Sequence, residues 1–356
     1  MITVAIPTLG RPASALDALR SVAAEVCATP FEVLVLDNGC DSRLAESVHM
    51  VARSARVPVV YVPVPAVGLH NARHEAARRA HGDVLAYLDD DVVVERGWLT
   101  GLASSFSDPD VHLVGGRCLP IYEADAPPWL EAFWTRNEDG TWWCGSLTLI
   151  DLGPEPKDVD PQFIWGANFA IRKETLIQVG GFHPDGLPWH LRRFRGDGET
   201  AVSIAVQKLG LRAAYSPDAT VHHRVPQERL AEQYFERRAF LQGISDSFSA
   251  SRSPDGDVET RPRPGLGRRL FGRIKSLAAE RKERKRVPRE WQVRRSRVAE
   301  AHGAGYAYHQ EQLQRSPAVQ AWVKRPDYWA GRVPDSDDRP PAVGGDAHGM
   351  RLRAPS

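Results

Sequence analysis

Cysteine is scarce in this chain: four residues, Cys27, Cys40, Cys118 and Cys144, among 356. Their separations of 13, 78 and 26 positions contain no C-x-x-C pair, which excludes a zinc knuckle or a thioredoxin-like redox site. Reduced, structural thiols of a cytosolic protein are the expectation. Long apolar runs are also missing, since no stretch approaches the ~18–20 apolar residues of a membrane span. The start, Met1-Ile-Thr-Val-Ala-Ile-Pro7, has no basic segment ahead of a long apolar one, as a secretory signal would. A soluble, cytoplasmic protein is expected, at most peripheral at the inner face of a membrane. Neither sign of charge is in excess: 46 Lys and Arg against 45 Asp and Glu give a net +1. That balance excludes a globally basic nucleic-acid binder and an acidic solvating chain. There is no internal repeat.

What is present is enough apolar material for a large core, 42% hydrophobic with 26% charged, in one large domain with an appendage or in two domains. Short β-branched runs over Ile2–Ile6, Phe31–Leu36, Val57–Val62 and Val84–Leu88 read as strands. Between them, helices are predicted over Ala15–Val26, Arg43–Arg53 and Asn71–Ala80; in the first, Leu16, Leu19, Val22, Ala23 and Val26 recur at three- and four-residue spacing. This succession predicts a doubly wound, mostly parallel α/β sheet with helices on both faces. Ligands of such sheets bind beyond the carboxyl ends of the strands. Polar clusters fall at those ends: Pro7-Thr8, Asp37-Asn38-Gly39 and Asp89-Asp90-Asp91.

From Pro120 to Pro161 the periodicity fades, and long substrate-facing loops rather than sheet are expected. A strand over Ile164–Ile171, helices over Lys173–Val179 and Glu199–Lys208, a strand at Ala213–Tyr215 and a helix over 227–247 follow. The predicted organisation is a catalytic unit over 1–248, a linker over 249–267, a basic, mostly helical extension over 268–333 and a polar, disordered tail over 334–356.

The aspartate triplet is the strongest chemical signal. Like charges ~4 Å apart repel by ~4 kcal/mol at an effective dielectric of ~20, so three carboxylates at a strand end call for a cation or solvent. Hard oxygen ligands suit Mg²⁺ or Mn²⁺ beside substrate phosphates; a solvated acidic turn capping the next helix is the alternative. Asp37 offers an acceptor to a nucleobase N–H, or else closes an Asx turn before Asn38-Gly39. Gly68 allows a tight turn ahead of a helix start whose free N–H groups, near Arg73, suit phosphate.

Seven motifs in order, Ile6-Pro-Thr-Leu-Gly-Arg11-Pro, Val35-Leu-Asp37-Asn-Gly, Gly68-Leu-His-Asn-Ala-Arg73, Leu88-Asp-Asp-Asp91, Trp165-Gly-Ala-Asn168, Gly180-Gly-Phe182 and Gly196-Asp-Gly-Glu199-Thr, resemble those of glycosyltransferase family 2, over about residues 1–225. The resemblance implies the GT-A fold and an inverting transfer from a nucleoside-diphosphate sugar to a hydroxyl of a glycan, lipid-linked or natural-product acceptor. It implies nucleotide-sugar binding by Pro7, Thr8, Arg11, Asp37, Arg73, Asp89 and Asp90, with Thr8 and Asp37 at base and ribose. It places Asp91, with Asp89 and His223, on the divalent cation, and Trp165, Gly166 and Asn168 at the substrate. The general base is Glu199 or Asp197, because the usual acidic pair is interrupted by Gly198; the following Thr200 favours Glu199. A nucleotidyltransferase of related fold and an inactive nucleotide-sugar-binding partner subunit are the competing readings.

Two further features stand apart. Trp129, Trp134, Trp142, Trp143, Trp165 and Trp189 concentrate indoles that suit sugar faces or core packing equally. Residues 268–297 carry thirteen Lys or Arg against three Glu, a local +10 that leaves −9 for the rest. Such a stretch suits the headgroups of an anionic membrane, or a solvated helix packed on the domain; a nucleic-acid patch lacks the interleaved aromatics.

Overall fold

The first strand, β1 (Ile2–Thr8), is buried along its whole length and divides its side chains between two cores. Ile2, Val4 and Ile6 pack with Ala18, Leu19 and Val22 of helix α1 (Pro12–Ala23), while Ala5 packs with Leu34 and Leu36 on the opposite face. Period-two side-chain alternation with both faces covered explains why these strands read as continuous apolar runs. The computed structural model describes residues 1–252, 288–330 and 332–334.

Strand β2 (Phe31–Asp37), helix α2 (Ser42–Ser54), strand β3 (Val59–Pro63), helix α3 (Leu69–Arg79) and strand β4 (Val84–Leu88) continue the pattern. Pro12 starts α1 where a missing N–H costs nothing, and Asp41 caps α2 by accepting from the Arg43 N–H at 2.8 Å. The parallel order is β3-β2-β1-β4, in register so that Thr8 lies beside Asp37 and Asp37 beside Pro63. The carboxyl ends of three strands therefore share one rim.

The second half makes the sheet mixed. After β5 (Val92–Val94) and α4 (Trp98–Ser105) come the long β6 (Val111–Tyr122), β7 (Thr135–Arg136), β8 (Trp142–Cys144), β9 (Leu149–Asp151), β10 (Lys157–Asp158) and β11 (Asn168–Arg172). Helices α5 (Lys173–Gln178) and α6 (Glu199–Lys208) precede β12 (Arg212–Val225). β11 inserts antiparallel between β4 and β6, and β12 pairs parallel with β6 and antiparallel with β5.

The 120–161 stretch is thus not purely loop: it holds the two- and three-residue strands β7 to β10, too short to show alternation. β12 is far longer than Ala213–Tyr215 because a register shift between Ser216 and Val221 admits Pro217-Asp218 without ending the ladder. At that shift the chain presses on Gly116, where a Cβ would lie 1.9 Å from the Ala219 carbonyl oxygen.

Helix α7 (Glu232–Arg252) runs through the 248/249 boundary and crosses α8 (Arg289–Arg315) at a pair of glycines. A Cβ on Gly243 would meet the His302 carbonyl oxygen at 2.0 Å, and one on Gly305 the Phe240 carbonyl oxygen at 1.9 Å. Helix α9 (Pro317–Val323) and the segment after it bury Val319, Trp322, Val323 and Tyr328 with Leu191, Phe194 and Phe248. Linker residues 253–267, basic residues 268–287 and tail residues 335–356 lie outside the described residues; within 288–297, Arg294 donates to Glu232 at 2.7 Å. Among the described residues, no helix is long and apolar enough to cross a membrane.

The C-terminal segment is pinned to α3 by His74. Its ring stacks on Trp329 at 4.2 Å, Nδ1 donates to the Tyr328 carbonyl at 3.2 Å, and Nε2 accepts the Phe182 N–H at 2.8 Å. Both nitrogens are used by the neutral ring. Burial pushes His74 down to about 3, and likewise His70 and His309 to about 4, from 6.5. A depressed folded value means stability is fully present above about pH 6.5 and is lost as pH falls toward 3–4. Stability measured by urea unfolding is expected to drop between pH 7 and 4.5, by roughly 2–3 kcal/mol per histidine. His74→Gln, which retains a donor and an acceptor, should flatten that slope; an unchanged slope would contradict the assignment.

Candidate active site

The rim is built first by turns. Asp37 accepts from the N–H groups of Gly39 and Asp41, both at 2.7 Å, and from the Tyr61 hydroxyl at 2.8 Å. Asn38, to which the sequence alone assigns no role, donates to the carbonyls of Val64 and Ala66 at 3.0 and 2.8 Å and ties the β2 and β3 loops together. Asp37 is therefore an Asx-turn residue, and its nearly full acceptor set leaves about one lone-pair direction for a ligand. Pro7 sits within the β1 ladder opposite Leu36.

Past β4, the three aspartates diverge. Asp90 accepts from the Thr8 hydroxyl at 2.7 Å and from Arg11 at 3.1 Å, and burial raises its carboxyl to about 6 against the pull of Arg11. For Asp91, the guanidinium groups of Arg229 and Arg11 act against burial, and the carboxyl lies well below the usual carboxylate range. Arg11 lies 2.6 Å from Asp91 Oδ2, Arg229 donates to the same oxygen, and His223 Nε2 lies 3.3 Å from Oδ1. Asp89 keeps a partly exposed carboxylate, 3.7 Å from the Arg73 guanidinium. His222 instead pairs with Glu95 at 3.0 Å on the surface.

Glu199 opens α6 after Gly198, whose φ of +57° favours glycine. Its carboxylate accepts from the Gly166 N–H at 3.2 Å and from Arg73 at 3.1 Å. Arg73 is only 3% exposed and stands over the Phe182 ring at 5.0 Å. It thus bridges Asp89 and Glu199 from beneath the rim. A Cβ at position 166 would fall 2.4 Å from Arg73 Nη2 and 2.9 Å from Glu199 Oε1, so any other residue there would displace this ion pair.

Asp197 is differently placed. It accepts from His183 at 2.5 Å and from Ser249, and these partners hold it below the ordinary range despite burial. Its oxygens are committed inside the fold, whereas Glu199 keeps about a quarter of its side chain exposed. Asn168 is buried: it accepts from the Trp98 indole at 3.0 Å and donates to Ala219 at 2.8 Å, a role in fixing β11 against α4 and β12. Trp165 donates to the Gln162 carbonyl at 3.0 Å. Trp129 packs edge-on to Phe133 and Phe235, Trp134 to Trp142, and Trp143 to Phe163, so these indoles build the wall of the middle region.

Among the described residues, no group of three or more His, Cys, Asp or Glu side chains is arranged to hold a metal by itself. The donor chemistry nevertheless fits a divalent ion that takes further ligands from a substrate. The Leu147 carbonyl, an obligate acceptor 2.9 Å away, takes the hydrogen of His223 Nδ1, and the donor-only Arg229 guanidinium 2.7 Å from Nε2 makes that nitrogen an acceptor beside Asp91. Arg229 has no counterpart among the residues singled out by sequence. It sits in a short turn, Gln227–Leu230, with no spacing signal, just after the strand that carries His223.

A family model described as glycosyl transferase family 2 matches residues 3–180, half of the chain, and the chain belongs to that family. The glucosyl-dolichyl phosphate glucuronosyltransferase of Haloferax volcanii is 26% identical over 181 residues, 50% of this chain and 54% of that protein. The succinoglycan biosynthesis protein ExoM of Rhizobium meliloti is 25% identical over 250 residues, 68% of this chain and 72% of that protein. The pre-mycofactocin glycosyltransferase of Mycobacterium tuberculosis is 26% identical over 229 residues, 63% of this chain and 43% of that one. The chain thus spans about half the length of the first and third of these relatives. In fold it is similar to the mannosyltransferase PcManGT of Pyrobaculum calidifontis, with a TM-score of 0.50 and 17% identity, covering 90% of this chain and 82% of that one.

The Arg73 geometry carries a stability consequence. Glu199→Ala leaves the buried guanidinium with only the looser Asp89 contact at 3.7 Å and is expected to cost about 2–3 kcal/mol in urea unfolding. Glu199→Gln, whose amide oxygen still accepts from Gly166 and Arg73, should cost distinctly less; equal losses would show that these hydrogen bonds do not hold the junction.

Proposed function

We propose that the protein transfers a sugar from a nucleoside-diphosphate donor to an acceptor hydroxyl with inversion at the anomeric carbon. The observation that carries this reading is the convergence of Thr8, Asp37, Asp89, Asp90, Asp91 and Glu199 on one sheet rim, with Glu199 the exposed member of the two base candidates. Glu199 accepts the hydroxyl proton as the acceptor oxygen bonds to the anomeric carbon and the bond to the diphosphate oxygen breaks. A positioned base contributes typically 10²–10⁴-fold to such a step. Gly166 and Arg73 hold the Glu199 carboxylate in place from the protein side.

Asp91 and His223 would hold a divalent cation, Mg²⁺ or Mn²⁺, with Asp89 beside them, and that ion would supply charge neutralisation for the departing diphosphate. PcManGT was solved with GDP-Man and Mn²⁺, which supports the same classes of ligand here. Pro7, Thr8, Arg11, Asp37 and Asp90 are assigned to the nucleotide side. Trp165, Gly166 and Asn168 line the donor-sugar side as backbone and wall rather than through free polar groups. The acceptor is a hydroxyl compound; the charge of residues 268–297 and the lipid phosphate in one relative's name support a lipid-linked one met at an anionic membrane surface.

Release of nucleoside diphosphate from a panel of UDP- and GDP-sugars by the purified protein tests this assignment. Glu199→Gln is expected to lower kcat by at least about 10²-fold while leaving donor Kd within a factor of a few. Asp91→Asn should weaken donor binding in the presence of Mn²⁺. Unaltered turnover in both variants would refute the proposal.

A further inference from the structure

Arg229 joins the two groups assigned above to the cation. One guanidinium nitrogen lies 2.7 Å from His223 Nε2, and the other donates to Asp91 Oδ2. A guanidinium can only donate, so its 2.7 Å contact makes His223 Nε2 the acceptor, with the ring hydrogen on Nδ1 facing the Leu147 carbonyl; Arg229 thus uses two donors to span an imidazole lone pair and a carboxylate. That lone pair and carboxylate are the donors a divalent ion would take. The Asp91 carboxylate is only 9% exposed and Arg229 17%, so the contact is largely shielded from water and little screened by salt.

We infer that Arg229 is a resident cation that occupies the metal ligands of the donor-free protein and must leave them before the divalent ion binds. This rests on the metal reading above and adds a positioning residue to it. Metal and guanidinium compete for the same lone pairs, so the free protein binds the ion weakly. A donor diphosphate gives the guanidinium another anion to pair with and supplies oxygen ligands to the metal. Binding of ion and donor is thereby coupled, and by linkage each raises the affinity of the other. Arg11, the second cation on Asp91, divides its contacts between Asp90 and Asp91, so it shields charge without bridging both metal ligands. Arg229 is well placed for such an exchange, because it projects from the turn that follows β12, six residues beyond His223, with Tyr234 beside it at 5.9 Å.

A Mn²⁺ titration of full-length protein, followed by electron paramagnetic resonance with no nucleotide present, tests the inference. Arg229→Gln is expected to bind Mn²⁺ about tenfold more tightly than the wild type, equivalent to ~1.4 kcal/mol. Arg229→Lys, a point charge that cannot span both groups, should fall between the two and serves if the glutamine variant fails to fold. Adding Asp91→Asn to Arg229→Gln should abolish the gained site. Addition of UDP should tighten Mn²⁺ binding more in the wild type than in Arg229→Gln. Unchanged or weaker Mn²⁺ binding by both Arg229 variants, while the wild type with UDP still binds Mn²⁺, would overturn this inference alone. Absence of Mn²⁺ binding in every variant with and without UDP would overturn the metal reading and the inference together.

Discussion

Carboxylates crowded at the carboxyl edge of one sheet impose the constraint on which this structure depends. Asp89, Asp90 and Asp91 follow one another off β4, and Glu199 approaches from α6. Such a cluster is costly unless cations are supplied. The fold supplies three arginines from three directions: Arg11 from the start of α1, Arg73 from α3 and Arg229 from the turn after β12. Arg73 holds Asp89 and Glu199, Arg11 joins Asp90 to Asp91, and Arg229 joins Asp91 to His223, so the rim is a partition of charge rather than a single acidic patch.

That partition separates chemical roles. Asp90 is tied to Thr8 and Arg11, and in the proposed reaction it is assigned to the nucleotide side. Asp91 faces His223 and Arg229. Glu199, joined to Asp89 only through Arg73, stands where a hydroxyl can reach it. Gly166 expresses the same economy, since a Cβ there would meet both Arg73 and Glu199. The C-terminal helices serve it indirectly: Ser249 of α7 fixes Asp197, and the segment carrying Tyr328 and Trp329 clamps the helix bearing Arg73.

Much of this is legible in the sequence. Apolar periodicity marks the β1 to β4 runs and α1 to α3, and the aspartates stand out by their place after Leu88. Glu199 opening a helix after a glycine is readable too. What stays hidden lacks a local signal. β12 conceals its length behind Pro217, whose effect depends on a bulge visible only in the ladder. Asn168 is polar and beside a glycine motif, yet its partners Trp98 and Ala219 are about fifty or more positions away. Arg229 is one of many arginines, and only tertiary geometry distinguishes it. Asp197 and Glu199 are two positions apart in sequence but face different surroundings, a distinction made by His183 and Ser249.

A direct displacement at the anomeric carbon, assisted by Glu199, fixes the stereochemistry of the product, which proton NMR reads when the purified protein consumes an α-linked nucleoside-diphosphate sugar. A β-linked product is expected from the first turnover onward. An α-linked product would contradict it, because a single displacement assisted by one base cannot return the original configuration.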